Sequence, residues 1–589
     1  MAKLIQRLSI TAVAFGCLGL QSVSSFSSED QPDTNQLRED SRSSQGITED
    51  TDKRRIEAER SKRNNKRRKG NKRYDREVRT YDGSGNNLEN IEWGATFIHL
   101  QRFAPSDYED EISALAGELR PSAREVSNAI VNQEPEESIL NTYGTSDFMW
   151  QWGQFLDHDI DLTDGNQETA NIAVPLGDPH FDPTGTGVQI IPFSRAIFDS
   201  STGTDITNPR EQENEITSWI DGSNVYGSDE ERAMALRVGP DSPFLKVSKG
   251  NLLPFNTDNL TNANGFVADP TTLFLAGDVR ANEQVGLAAM HTLFVREHNR
   301  VARILKHSMK GASGEEIFQA ARRVVIAELQ IITYDEFLPA LIGPNAIAPY
   351  SGYDSSIDPS IFNEFSAAAY RLGHSMLSGQ ILRLNKRGQE ITDGHIDLKE
   401  AFFTAPSILN SNNDLAPIFR GLASQAHQQI DIKVVDALRN FLFGNPGQGG
   451  LDLPSLNIQR GRDHGLSSYN DTREAMGLTR ITEFSEITAD AELAQALQDT
   501  YGSVDDIDLW IGGLAETPLA EQDSQLGELF TTMLSRQFTA LRDGDRFWHT
   551  RDLNKLEKRL VKGITLSKVI KNNTRIGREL QANVFYIPE

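Results

Sequence analysis

From about residue 90 onward the apolar residues of this chain recur at three- and four-residue steps, and that spacing restricts it to a mostly α architecture. Leu287, Met290, Leu293, Phe294, Val301, Ile304 and Leu305 mark one such face over 287–305. Ile317, Phe318, Ala321, Val324, Val325, Leu329 and Ile332 mark a second over 315–332. The Gly/Pro/Asn-rich stretches 164–188, 250–265 and 445–455 read as loops between helices, and strand-type alternation is short and rare. The 589 residues would allow several domains, yet no internal repeat and no long Pro/Gly/Ser linker follows residue 90. One large helical domain with little β structure is therefore expected, over 79–589.

The only long apolar stretch lies at the extreme N-terminus, so no transmembrane segment is expected in the remainder. There Lys3 and Arg7 precede an apolar run from Leu8 to about Leu20, followed by small residues around Val23-Ser24-Ser25. This is the layout of a secretory signal peptide over 1–25, and it predicts export. The single cysteine, Cys17, falls inside it. A cleaved chain would thus carry no disulfide, and its stability would rest on its core and on bound cofactors. Ala14-Phe15-Gly16-Cys17 is a poor lipoprotein box.

The formal charge of −25 conceals an asymmetry: residues 53–79 carry 14 Lys/Arg against 4 Asp/Glu, whereas residues 80–589 carry 41 against 72. The segment 26–78 reads as a disordered basic arm or a propeptide. Its Lys66-Arg67-Arg68-Lys69 run can contact polyanions or the chain's own acidic domain. With Tyr74 as nearly its only aromatic residue it lacks stacking platforms, so no nucleic-acid function is expected.

Residues 150–163 concentrate the chemistry. Gln154, Asp157 and His158 share one face of a predicted helix, while Asp159 points about 100° away. An Asp-His-Asp triplet is usually a solvated surface. Trp150, Trp152, Phe155 and Leu156 must be buried by the same helix, however, so the polar trio between them needs partners or a function.

This segment resembles the distal-histidine motif of the animal-type haem peroxidases. The resemblance extends from about Arg79 to about Ile576, through Ile507-Asp508-Leu509-Trp510-Ile511-Gly512-Gly513-Leu514-Ala515-Glu516 and Asp543-Gly544-Asp545-Arg546-Phe547-Trp548. It implies His158 as the acid–base group above haem b, Arg280 as its charge-stabilising partner, and Gln154 as a hydrogen-bonding group that positions water or halide. It also implies ester links to haem through Asp157 and Glu283. Gln284 stands where one branch of the family has the methionine of a third, sulfonium link, so at most two links are implied.

In Tyr370-Arg371-Leu372-Gly373-His374-Ser375 the resemblance makes His374 the axial iron ligand and Arg371 a neighbour of a haem propionate. Asn457 then holds the other ring nitrogen of His374. A neutral amide there leaves the imidazole less anionic than a carboxylate would, and raises the iron potential.

Thr217-Ser218-Trp219-Ile220-Asp221-Gly222-Ser223 alternates along an extended loop, which places oxygens on one side. Such a set suits Ca²⁺, although an Asx turn with hydroxyl capping would use the same residues. In the family this loop binds calcium through positions matching Thr217, Trp219 (by its carbonyl), Asp221 and Ser223, with Asp159 completing the cage.

The activity implied is reduction of hydrogen peroxide through a ferryl intermediate, with oxidation of halide, pseudohalide or phenolic donors. A rival is the fatty-acid dioxygenase branch of the same superfamily, whose radical tyrosine lies three residues before the proximal histidine. Here that position is Arg371, and Tyr370 is expected to face elsewhere. A second rival is a non-catalytic extracellular haem- and calcium-binding matrix protein. His291 and His298 lie on the amphipathic helix and are read as core residues, and no catalytic role attaches to His464.

Overall fold

A computed structural model of the chain describes residues 76–134, 137–410 and 415–588. The expected signal peptide, Cys17 and the Lys66–Lys69 run lie outside the described residues. Residues from Thr80 onward form one compact unit, and it is mostly α as expected.

Helix α1 (Phe148–Ile160) buries Phe148, Met149, Trp150, Trp152, Phe155, Leu156 and Ile160 on nearly every side. It is a core helix rather than a surface one. It ends where Asp161 turns extended. Helices α2 (Val285–Ser308) and α3 (Gly314–Ile332) pack on each other, and α2 also packs on α1. The α1–α2 contact is aromatic: Trp152 and Phe155 meet Phe294 at ring-centroid distances of 5.9 and 5.1 Å. α3 starts at a capping box, in which the Ser313 hydroxyl accepts from the Glu316 N–H and the Glu316 side chain reaches back.

Across from α1 lies a 3₁₀ helix over Ala369–Met376, backed by α4 (Leu453–Asp463) and α5 (Leu509–Ala515). His291 and His298 are buried core residues: one ring meets the Asn224 carbonyl, the other lies between Tyr226 and Pro243.

Two of the expected loops contain structure. Within 164–188, β1 (Gly165–Thr169) pairs antiparallel with β2 (Ser194–Ala196). The sequence Gly-Asn-Gln-Glu-Thr is polar, with its last three residues exposed, so it carries no alternation to read. At 445–455 the loop stops early. Asp452 accepts a hydrogen bond from the Ser455 N–H and Pro454 occupies the first turn of α4, so a proline that reads as a breaker is a helix starter.

Candidate active site

A cavity lies between α1 and the 3₁₀ helix. Gln154, Asp157 and His158 border it from α1, and Tyr370, Leu372, Gly373, His374, Met376 and Leu377 from the other segment. Met149, Trp150, Phe337, Leu341 and Leu453 complete its apolar lining. The two histidines, 216 positions apart in the chain, thus share one chamber.

On the α1 side His158 is fully buried. Burial, and then the Arg280 charge, hold its imidazole far below the usual range, so it is neutral and able to accept a proton. Its Nδ1 lies 3.5 Å from Asp278 and its Nε2 3.9 Å from Glu283. Gln154 Nε2 donates to Glu283 Oε2 at 3.1 Å, while Gln284 Nε2 donates to Gln154 Oε1 at 3.1 Å and to Gln151 Oε1 at 2.8 Å. Gln284 therefore clasps the start of α2 to α1 and fixes which way the Gln154 amide points.

Arg280 lies near His158, and its charge helps to depress that imidazole. It is wholly buried, and its guanidinium forks onto Asp278 at 2.9 Å and donates to the Asp161 carbonyl at 2.8 Å. It lies 3.7 Å from Asp157. Its main anchor is Asp278, which sequence reasoning passed over. This buried carboxylate takes the Arg280 N–H, Nε and Nη2, and those contacts hold it far below the usual carboxylate range despite burial. An acid two residues before an arginine destined for the interior was the available signal.

On the opposite side the Asn457 amide lies 2.8 Å from His374 Nδ1. Burial, and then Arg371, push the imidazole down to about 3, so it is neutral. Arg371 donates to the Ser366 carbonyl at 2.9 Å and approaches Asn457 Oδ1 at 3.4 Å. Tyr370, expected to face elsewhere, borders the cavity. The 3₁₀ segment lies along the wall instead of presenting one edge, so six of its side chains or their neighbours reach the chamber, and a facing argument built on one helical stripe fails.

The loop at 217–223 is not extended to its end. Gly222 adopts φ 74° and a short helix begins at Ser223, so the oxygens converge by a turn rather than by alternation. Asp159 leaves α1 on the side away from the cavity and accepts from the Gly222 and Asn224 N–H groups. Thr217 Oγ1 and the Ser223 N–H donate to Asp221 Oδ1 at 3.2 and 3.1 Å. Trp219 is buried with its indole N–H on the Gly83 carbonyl, which sends its side chain away from the turn. Burial, and then the neighbouring Asp221 carboxylate, raise Asp159 to about 8. Two buried acids side by side, rimmed by hydroxyls and carbonyls, suit a hard cation.

Residues 78–585 match the family model of the animal haem peroxidases. The chain is 34% identical to peroxinectin A of Dictyostelium discoideum, over 86% of this chain and 96% of that protein. It is 37% identical to dog thyroid peroxidase, over 85% of this chain and 58% of that protein, and 36% identical to mouse myeloperoxidase, over 86% and 76%. The chain thus spans little more than half the length of thyroid peroxidase. Among solved structures, peroxidase A from Dictyostelium discoideum superposes with a TM-score of 0.81 at 33% identity, covering 87% of this chain and 100% of that one. A rice fatty acid alpha-dioxygenase superposes at 0.71 with 21% identity, a likeness of fold alone. The chain belongs to the animal haem peroxidase family, and it is an enzyme of that class with haem as its cofactor.

Proposed function

We propose that the chain reduces hydrogen peroxide and oxidises halide, pseudohalide or small phenolic donors at the cavity between His158 and His374. The observation that carries this is the placing of two neutral, buried histidines on opposite sides of one apolar chamber. The chamber fits haem: an apolar lining suits the macrocycle, and the amide-held His374 would hold its iron. When bound, haem supplies the two electrons that peroxide takes up and recovers them from the donor.

The chain's own residues handle the protons. His158 takes the proton from the incoming peroxide and returns it to the departing oxygen. Arg280, held by Asp278, keeps that imidazole neutral and places positive charge behind it. Gln154, fixed by Gln284, orients water or an anion at the chamber wall. Asp157 and Glu283 flank His158 and are read as the ester-linking carboxylates. Asp159, Thr217, Asp221, Ser223 and the Trp219 carbonyl are read as a Ca²⁺ site that anchors α1 from behind. The N-terminal segment supports a secreted enzyme.

The test is rapid mixing of the haem-loaded protein with one equivalent of peroxide, followed by bromide, iodide, thiocyanate or a phenol. A Soret band that shifts and is restored by a donor is the expected result. His158→Ala should slow the shift by about 10²–10⁴-fold. An unchanged rate would remove His158 from the mechanism.

A further inference from the structure

A file of aromatic rings leads away from the cavity. Tyr370, which borders the chamber, lies 5.8 Å from Phe538, and Phe538 lies 6.2 Å from Tyr334. Tyr334 meets Trp548 at 5.0 Å, and Trp548 meets Tyr350 at 5.9 Å, all as ring-centroid distances. Trp548 is buried, while Tyr334 and Tyr350 are half-buried at the far end.

The cluster is built rather than incidental. The Tyr334 hydroxyl donates to the Phe538 carbonyl at 2.5 Å, and Arg542 donates to the Ala348 carbonyl at 2.7 Å, which ties the Tyr350 segment down. The Arg542 guanidinium lies 6.0 Å from the Tyr334 ring and 5.6 Å from that of Tyr350. The chamber mechanism uses none of these residues, of which only Tyr370 lines the chamber.

We propose that Tyr334, Trp548 and Tyr350 form a second oxidation site, at the protein surface, for phenols too large to enter the chamber. The proposal rests on the peroxidase reading, which supplies the oxidant. Electron tunnelling falls off exponentially with distance, so a relay of touching rings outruns one long jump. Phenol and indole rings can each lose one electron, and Phe538 serves as the bridge between Tyr370 and Tyr334. Each surface phenol loses one electron to the relay and its hydroxyl proton to solvent, leaving a phenoxyl radical. Two such phenols supply the two electrons and two protons that convert one hydrogen peroxide into two waters. The substrate class is a phenol borne on a macromolecule, whether a tyrosyl group or a polymer-linked ring.

The probe is tyramine coupled to a large dextran, with free tyramine as the small donor. In a second measurement a nitroso spin trap is added with peroxide and the modified residues are located by mass spectrometry. The wild-type protein is expected to oxidise both donors and to carry trap adducts on Tyr334, Trp548 or Tyr350. The Tyr334→Phe/Trp548→Phe/Tyr350→Phe variant should lose at least tenfold on the dextran donor, keep free tyramine within twofold, and show no adducts there. Equal loss on both donors, unchanged dextran oxidation, or adducts confined to other residues overturns the surface site. If the triple variant melts abnormally, Tyr350→Phe and the wild-type adduct map decide. Turnover of free tyramine without dextran oxidation rejects the surface site alone, whereas no oxidation of either donor rejects the peroxidase reading with it.

Discussion

Asp278 is the residue on which the chamber's electrostatics turn. It holds a fully buried arginine through three donors and lies 3.5 Å from the His158 ring. Removing one partner of a buried ion pair leaves the other charge without compensation, at a cost of about 3–5 kcal/mol. Asp278→Asn is therefore expected to lower the melting temperature. It should also lower kcat/KM for peroxide by about 10²-fold as Arg280 leaves its station. Calorimetry and stopped-flow kinetics on the same preparation check this, and an unaltered kcat/KM would confine Asp278 to a structural role. His158 drew attention in the sequence because Trp150, Trp152, Phe155 and Leu156 force its helix inward, whereas His374 and Asn457 were reached only through the family resemblance. Asp278 was not legible, because its importance depends on Arg280 being drawn into the interior toward Asp161, about 120 positions earlier. Tyr370 was misread because a 3₁₀ segment lying along a wall has no single inward stripe.

At the level of elements, the glycine pair in α5 explains why the motif Trp-Ile-Gly-Gly-Leu tolerates no bulk. A Cβ at Gly512 would come within 2.3 Å of the Tyr469 ring, and one at Gly513 within 2.1 Å of Phe530. Gly512→Ala should cost about 1–3 kcal/mol through overpacking, read as a lower denaturation midpoint without a change in slope. The preceding residue, Asp508, pins α5 to α4: Arg462 reaches it at 2.7 Å and Arg120 at 3.1 Å. Burial alone would raise this carboxyl, but the two guanidiniums hold it down to about 2. A folded-state value below the unfolded one contributes stability that is present above about pH 4 and lost as pH falls through about 2. Asp508→Asn should thus be destabilising at pH 7, and its deficit against wild type should shrink as pH drops through that window. A pH-independent deficit in urea titrations would deny the charge its role. Periodicity revealed α2 and α3 to within a few residues. It could not reveal β1, whose five residues are polar and mostly exposed, or the tight seating of α5, which is a property of partners far away in sequence.

For the molecule as a whole, the single cysteine excludes any intramolecular disulfide, so no covalent cross-link anchors α1. The two buried acids Asp159 and Asp221 are mutually repulsive, since each carboxylate disfavours the charged form of the other. A cation between them reverses the sign of that interaction and ties the 217–223 turn to the helix that carries His158. Calcium at about a hundredfold its dissociation constant should then stabilise the fold by about 2.7 kcal/mol, seen as a melting temperature higher in calcium than in EDTA. Asp221→Asn separates this from ordinary salt effects because it works in opposite directions. It should abolish most of the calcium-induced rise, yet in EDTA it should melt no lower than wild type, since the substitution relieves the repulsion. Equal melting of the wild type in calcium and EDTA would exclude the metal. A variant weaker than wild type in both buffers would assign Asp221 to packing of the turn rather than to a cation.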